Sequence, residues 1–384
     1  MSAESADVVV VGGGIVGVSA AYHLAAAGAG RVLLLERAEA VGTGATGACA
    51  GGFRHQFSSR INIELSLASV PMILRFAEEH GLPLDVVQHG YLFLVRTPAE
   101  WEAFRIAADL QHTLGVDARL LSPDEAAALV PGISLEGVVG ATYCPDDGIA
   151  DPAGLTQGYA TLARRAGAEL RLGIDVGRIE TADGRVTGLT TTGGGIDTSV
   201  VVNAAGPWAG TLAATAGVDL PLEPIPRMVV TTGRFPGVPE RRTLVIDAAT
   251  SFYFHREGDG VLMGMGGRDE RPSFSTAVDE RFVAEQLLPT ALRIFPPLEA
   301  AGVASTWCGL YEMTPDRHPI VGPSPVGGLY LANGFSGHGF QHAPVVGKLL
   351  AELIVDGRAR TVDVAGLALE RFARGEQTPE GHVV

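Results

Sequence analysis

Val8-Val9-Val10-Val11-Gly12-Gly13-Gly14-Ile15-Val16-Gly17 carries an all-apolar run straight into glycines spaced G-x-G-x-x-G. Four consecutive valines predict a buried strand, and Val18 to Ala27, rich in small side chains, predicts a helix that stops at Gly28. Val32-Leu33-Leu34-Leu35 then predicts a second buried strand ending at Glu36. Strand, glycine turn, helix and strand in that order make the βαβ unit of a dinucleotide site. Gly12 allows the tight turn, Gly14 lets backbone approach a pyrophosphate, and Gly17 lets the helix lie close on the strand. Backbone N–H groups at the helix start, Ile15 and Val16 among them, attract the anion. Glu36 follows the glycines by about 20 positions, where a carboxylate can bond a ribose hydroxyl. By itself the motif does not separate FAD from NAD.

Beyond Arg37 the chain enters Gly42-Thr43-Gly44-Ala45-Thr46-Gly47-Ala48-Cys49-Ala50-Gly51-Gly52, a run with almost no side chain that can lie against a flat ligand. Glycine-rich stretches also serve as flexible linkers. Phe53-Arg54-His55-Gln56-Phe57 follows at once, however, which a linker would not need. Two further stretches share this character: Val200 to Trp208, with Ala205 and Gly206, and Ala332 to Gln341, with Gly334, Ser336, Gly337, His338, Gly339 and Phe340. Each begins with an apolar strand. The second leads into a predicted helix from Pro344 to Ile354, so loop amides and a helix start can face an electron-rich ring. Three separated glycine patches are too many for one nicotinamide and fit a single extended FAD. Val176 and Gly309 complete the cofactor-binding candidates.

With 384 residues the chain exceeds the usual size of one hydrophobic core. Its 46% hydrophobic and 18% charged residues and 51 glycines fit a globular enzyme rich in tight turns. A net charge of −15 repels phosphate backbones and anionic membrane surfaces. No nucleic-acid or membrane partner is expected, and an anionic substrate must be met by a local cation. Cys49, Cys144 and Cys308 lack the paired spacing of zinc or iron–sulfur ligands, so no metal site is expected. No signal-peptide pattern precedes Val8 and no apolar segment reaches spanning length uninterrupted, which makes a cytoplasmic location the expectation.

Four ordered motifs together resemble the D-amino-acid oxidase-like FAD-dependent oxidoreductase family. They are Gly12 to Gly17, Asn203-Ala204-Ala205-Gly206-Pro207-Trp208, Met313-Thr314-Pro315-Asp316-Arg317-His318-Pro319-Ile320, and Gly334-Phe335-Ser336-Gly337-His338-Gly339-Phe340. Within that family the chain is most similar to the sarcosine oxidase, glycine oxidase and amine-type proline dehydrogenase branch, over nearly its whole length. The resemblance implies an α/β fold: a Rossmann-like FAD-binding domain with an inserted mixed-sheet α+β substrate domain. Residues 1–81, 145–219 and 303–384 would form the first and residues 82–144 and 220–302 the second. It further implies oxidation of the C–N bond of a small amino acid or N-alkyl amino acid, giving an imine, with oxygen or another electron acceptor. Some relatives work in multi-subunit complexes, so a homo-oligomer, a larger assembly or a merely flavin-holding subunit stays open. A 2-hydroxy acid dehydrogenase of the same fold is the rival chemistry, and an NAD-dependent dehydrogenase would leave the later glycine patches idle.

Hydride transfer to flavin N5 needs little acid–base machinery, so positioning groups should dominate. Arg54 is the first choice, since its planar fork can hold a substrate carboxylate, and the arginine in the matching loop of sarcosine oxidases does so. A structural ion pair is the plainer alternative. Tyr253 and His255 alternate on one predicted strand face and are expected to line the pocket floor, or to pack with bonded polar tips. Tyr311 resembles an active-site tyrosine of the sarcosine oxidase branch. Gln341 stands where that branch has a second carboxylate-binding cation, and its oxygen-activating lysine aligns near Leu262 or Met263; both departures put sarcosine itself and an oxidase in doubt. Non-covalent FAD is favoured, with a link through Cys308 or His55 left open. His338 could orient the flavin or serve only as a helix-entry residue.

Overall fold

A computed structural model describes residues 4–267 and 270–382. β1 (Val8–Val11) and β2 (Val32–Leu35) pair in parallel, and every side chain in both strands is buried. Between them α1 (Ile15–Ala26) starts three residues before the expected Val18, because Gly14 takes extended backbone and releases the chain directly into the helix. Around this unit stands a six-stranded sheet in the order Glu169–Arg171, β2, β1, Val201–Asn203, Leu329–Asn333, Ile320–Pro323; only the last strand is antiparallel. Strand order reverses beside β1, and such a switch point opens a crevice at the carboxyl ends of the strands.

α1 packs against three neighbours of unequal closeness: α4 (Gly339–Val355), α3 (Pro152–Arg165) and the β2 strand, while α2 (Arg60–Leu74) covers the outer side of α4. Gly347 makes the first contact close, since a Cβ there would lie 2.3 Å from the Ser19 hydroxyl. α4 begins five residues before the expected Pro344, which sits inside the helix. Ser69 of α2 makes this tolerable: its hydroxyl donates to the Gln341 carbonyl at 2.6 Å and accepts the Val345 N–H at 3.4 Å, inserting into the ladder beside the proline.

A second, mixed sheet has eight strands, in the order Val303–Met313, Glu223–Thr232, Gly260–Met265, Phe252–Glu257, Leu244–Asp247, Tyr91–Val95, Gly140–Cys144, Arg119–Leu121. All pairs are antiparallel except Leu244–Asp247 with Tyr91–Val95. The fold is thus the expected α/β arrangement with a mixed sheet. Strand Val303–Met313, which the expected division gives to the last FAD-binding stretch, pairs along its length with Glu223–Thr232 and so belongs to the second sheet. Among the described residues no helix is long and apolar enough to cross a membrane.

Candidate active site

An elongated cavity of about 830 Å³ runs from the β1–α1 turn to the face of the second sheet. The β1–α1 turn lines it with Gly12, Gly14, Ile15 and Val16, and so do all three glycine patches, through Gly42 to Thr46 with Ala48 to Gly52, Ala204 to Trp208, and Ala332 with Phe335 to Gln341. Two helices aim their N-termini into it. Gly14 is the N-cap of α1 and His338 that of α4, neither makes a side-chain capping bond of its own, and neither helix carries an acid in its first turn. Their positive dipole ends therefore face the cavity and suit anionic or electron-rich ligand atoms.

At the α1 end, Glu36 accepts the Gly13 N–H at 2.6 Å and the Ala38 N–H at 2.8 Å, and Thr46 accepts the Ile15 N–H at 3.2 Å. The Arg37 guanidinium lies 3.6 Å over the Trp208 ring, which stacks in turn on Phe274. Thr43, Gly44, Ala45, Val176, Ala205, Gly206 and Gly309 line the cavity. Gly17 and Gly334 do not line it and shape the wall from behind. A Cβ on Gly17 would lie 1.8 Å from the Gly12 carbonyl, and one on Gly334, at φ +72°, 2.3 Å from Thr314.

The opposite end is aromatic and cationic. Arg54, Tyr91, Arg227, Tyr253, Tyr311, Glu312, His338 and Gln341 all line it. Arg54 is 3% exposed, its guanidinium lies 3.9 Å over Phe57, and its two terminal nitrogens donate to the carbonyls of Gln56 and His382. Among the described residues no carboxylate pairs with it. Burial pulls it below the usual arginine value, so the site favours an added anion. Gln341 is not a free substrate ligand. Its amide accepts the Arg54 N–H and donates to the Arg54 carbonyl, both at 3.0 Å, pinning the arginine's backbone.

Tyr253 faces the cavity because its cross-strand partner is Gly264, where a Cβ would lie 2.4 Å from the phenol oxygen. Tyr311 fits against Gly337 in the same way. Burial pushes both phenols up, and for Tyr311 the nearby Arg227 and Arg54 oppose the shift. His255 corrects the expectation drawn from alternation. It does not line the cavity; its ring nitrogens face the carbonyls of Arg256 at 2.8 Å and Ala50 at 3.2 Å, so it buttresses the glycine wall from outside. His55 also turns away, with Nδ1 2.9 Å from buried Asp147, which further accepts the His55 N–H and the Gln56 amide. Cys144 joins His55 and Asp147 in a cluster with ligand-type atoms within 4.8 Å of one another, but those bonds already use the carboxylate. Cys308 lines the cavity with its thiol directed at the Gly309 carbonyl.

Three groups escaped the sequence reading. Arg227 is 8% exposed, ion-paired with Glu270 and 4.8 Å over the Tyr311 ring; a lone cation in the apolar strand Glu223–Thr232 was its only signal. Tyr91 occupies the space that Gly52 leaves. Glu312 accepts the Phe335 N–H at 3.4 Å, its other oxygen is buried without a partner, and burial raises its carboxyl to about 7. His338 is buried with neither ring nitrogen bonded among the described residues, held neutral by burial and by the charge of Arg54.

A long cavity with one uncapped helix at a glycine turn and another beside an aromatic pocket fits an extended dinucleotide with a flat ring. The sequence profile of the FAD dependent oxidoreductase family matches residues 7–353. The chain belongs to that family. FAD is accordingly its cofactor, and the donors just described fit it. This FAD dependent oxidoreductase is 33% identical over 386 residues to the mitochondrial sarcosine dehydrogenase of Homo sapiens, covering 96% of this chain and 42% of that protein. The chain therefore spans less than half the length of the sarcosine dehydrogenases it matches. It is also 33% identical to the FAD-dependent oxidoreductase domain-containing protein 1 of Bos taurus, over 98% of this chain and 87% of the other. The crystal structure of L-proline dehydrogenase from P. horikoshii superposes with a TM-score of 0.90 at 33% identity, covering 98% of this chain and 100% of that one.

Proposed function

We propose that this protein oxidises the C–N bond of a small amino acid or N-alkyl amino acid, giving an imine. The observation that carries the reading is Arg54: a buried guanidinium that has no carboxylate partner among the described residues, at the aromatic end of an FAD cavity. Bound FAD supplies the hydride acceptor. Arg54 holds the substrate carboxylate through donors not spent on Gln56 and His382, and Gln341 fixes its backbone. Tyr253 and Tyr311, kept protonated by burial, wall the amine in and exclude water. The raised carboxyl of Glu312 suits an amine that arrives as ammonium and must lose a proton, whereas burial and the Arg54 charge make His338 a poor proton acceptor. The glycine turn before α1 with Glu36 and Thr46 holds the dinucleotide end.

Non-covalent FAD is part of the proposal, since His55 is spent on Asp147 and the Cys308 thiol points at a carbonyl. So are the five-part domain division, with strand Val303–Met313 moved to the substrate domain, and a cytoplasmic setting, which suits three free cysteines. The names of the relatives, sarcosine dehydrogenase and L-proline dehydrogenase, lend support for substrates of this class. An anaerobic screen of glycine, sarcosine, N,N-dimethylglycine, proline and D-amino acids should bleach the flavin absorbance with at least one member, and recovery on admitting air tells oxidase from dehydrogenase. Bleaching by 2-hydroxy acids and by no amine would transfer the site to C–O chemistry.

A further inference from the structure

Arg54 is steered from a distant part of the chain. Beyond the last helix the segment Glu380-Gly381-His382 crosses back over the entry to α2, and the His382 carbonyl accepts one of the two terminal nitrogens of Arg54. What holds this strap is Glu380. One carboxylate oxygen accepts the Ser58 N–H at 2.8 Å, the Ser58 hydroxyl at 2.5 Å and the His382 N–H at 3.0 Å. The other accepts the Ser59 N–H at 3.1 Å, the Ser59 hydroxyl at 2.7 Å and the Asn62 amide at 3.1 Å. Ser59 is the N-cap of α2 but makes no capping bond of its own, so a carboxylate from the far end of the chain satisfies the helix start. Three more contacts fix the strap: the Glu380 N–H donates to the Asp316 carbonyl at 3.0 Å, the Gly381 N–H donates to the Ser58 hydroxyl at 2.8 Å, and the His382 ring stacks on Phe104 at 4.0 Å.

Six donors converge on one fully buried carboxylate, and the segment it anchors meets the guanidinium through the His382 carbonyl. We propose that Glu380 is the positioning residue for Arg54: by anchoring residues 380–382 it fixes the carbonyl that orients the guanidinium and so sets the affinity for a substrate carboxylate. The inference rests on the reading of Arg54 as the carboxylate-binding group. These donors hold the Glu380 carboxyl far below the usual carboxylate range, so it stays charged wherever the enzyme is assayed.

Methoxyacetate, an N-methyl amino acid analogue with ether oxygen in place of nitrogen, and its neutral methyl ester test this on the FAD-loaded protein, by titrating the change in flavin absorbance. In Glu380→Gln the Kd for methoxyacetate should rise by about ten-fold or more, as expected for a misaligned charged hydrogen bond. The Kd for the ester and the flavin content should not change, and Glu380→Asp should recover part of the affinity. Ser58→Ala, which removes one donor and keeps the carboxylate, should give a smaller rise and serves if the first variant does not fold. A merely structural strap would lower the melting temperature and leave the Kd of the flavin-loaded protein unchanged, which would overturn the proposal. Arg54→Gln separates the two claims. If it weakens methoxyacetate while Glu380→Gln does not, the strap fails alone; if it changes nothing, or the wild type binds no methoxyacetate, the arginine reading fails and takes the strap with it.

Discussion

Glu312 stays protonated up to about pH 7 in the folded protein, whereas an unfolded glutamate ionises near 4.5. The folded state then holds the extra proton between those values, so stability falls as pH rises from about 4.5 to 7 and stays reduced above. A shift of this size corresponds to roughly 3 kcal/mol. Glu312→Gln keeps an oxygen for the Phe335 N–H and removes the charge, so at pH 8 it should unfold at higher denaturant than wild type, with the gap narrowing toward pH 5. A gap equal at both pH values would mean that the carboxyl is not buried as a charge. The contrast with Arg54 shows what single residues reveal in sequence. Arg54 was legible because it directly follows a glycine wall. Glu312 lies one residue past an expected tyrosine, and only the orphaned oxygen under the Phe335 loop distinguishes it. His255 misled because alternation gives a face, not which sheet edge that face meets.

At the scale of elements, the βαβ unit was readable to within a turn because its requirements are local: four valines, a glycine turn, small side chains, three leucines. Gly17 shows how strict they are. Its Cβ would overlap the Gly12 carbonyl, and backbone cannot swing aside as a side chain can. Gly17→Ala should therefore cost about 1–3 kcal/mol of stability or more, and push the glycine turn off the cofactor, so the purified variant should carry markedly less FAD. Gly28→Ala is the control, at φ +77° with nothing within 4 Å. It should cost only about 1–2 kcal/mol of left-handed strain and retain the flavin. Equal FAD content in both variants would refute the argument from contact. The start of α4 was less legible, because Pro344 reads as a first-turn residue unless one knows that Ser69, from another helix, bonds into the ladder beside it.

The whole molecule joins its six-stranded and eight-stranded sheets around the cavity, and sequence alone reached that arrangement only through the family resemblance. The pairings that close the site lie too far apart for any local pattern: Ser58 meets Glu380 across 322 positions and Arg54 meets Gln341 across 287. A ligand filling the cavity touches the turn of β1 and α1, the strand Val303–Met313 and the start of α4 together, so binding it should stabilise all of them as one unit. At a free FAD concentration about 100 times its Kd the gain is ~2.7 kcal/mol, enough to raise the melting temperature of apoprotein by several degrees. ADP, which can occupy only the end by Gly14 and Glu36, should give a smaller rise at the same free concentration, because the unbridged aromatic end leaves its Kd higher. NAD should do no better than ADP, since its nicotinamide is smaller than the space framed by Tyr91, Tyr253 and Tyr311. A thermal shift with NAD equal to that with FAD would contradict the shape argument, for it would mean that the ring end adds nothing and that only the glycine turn binds.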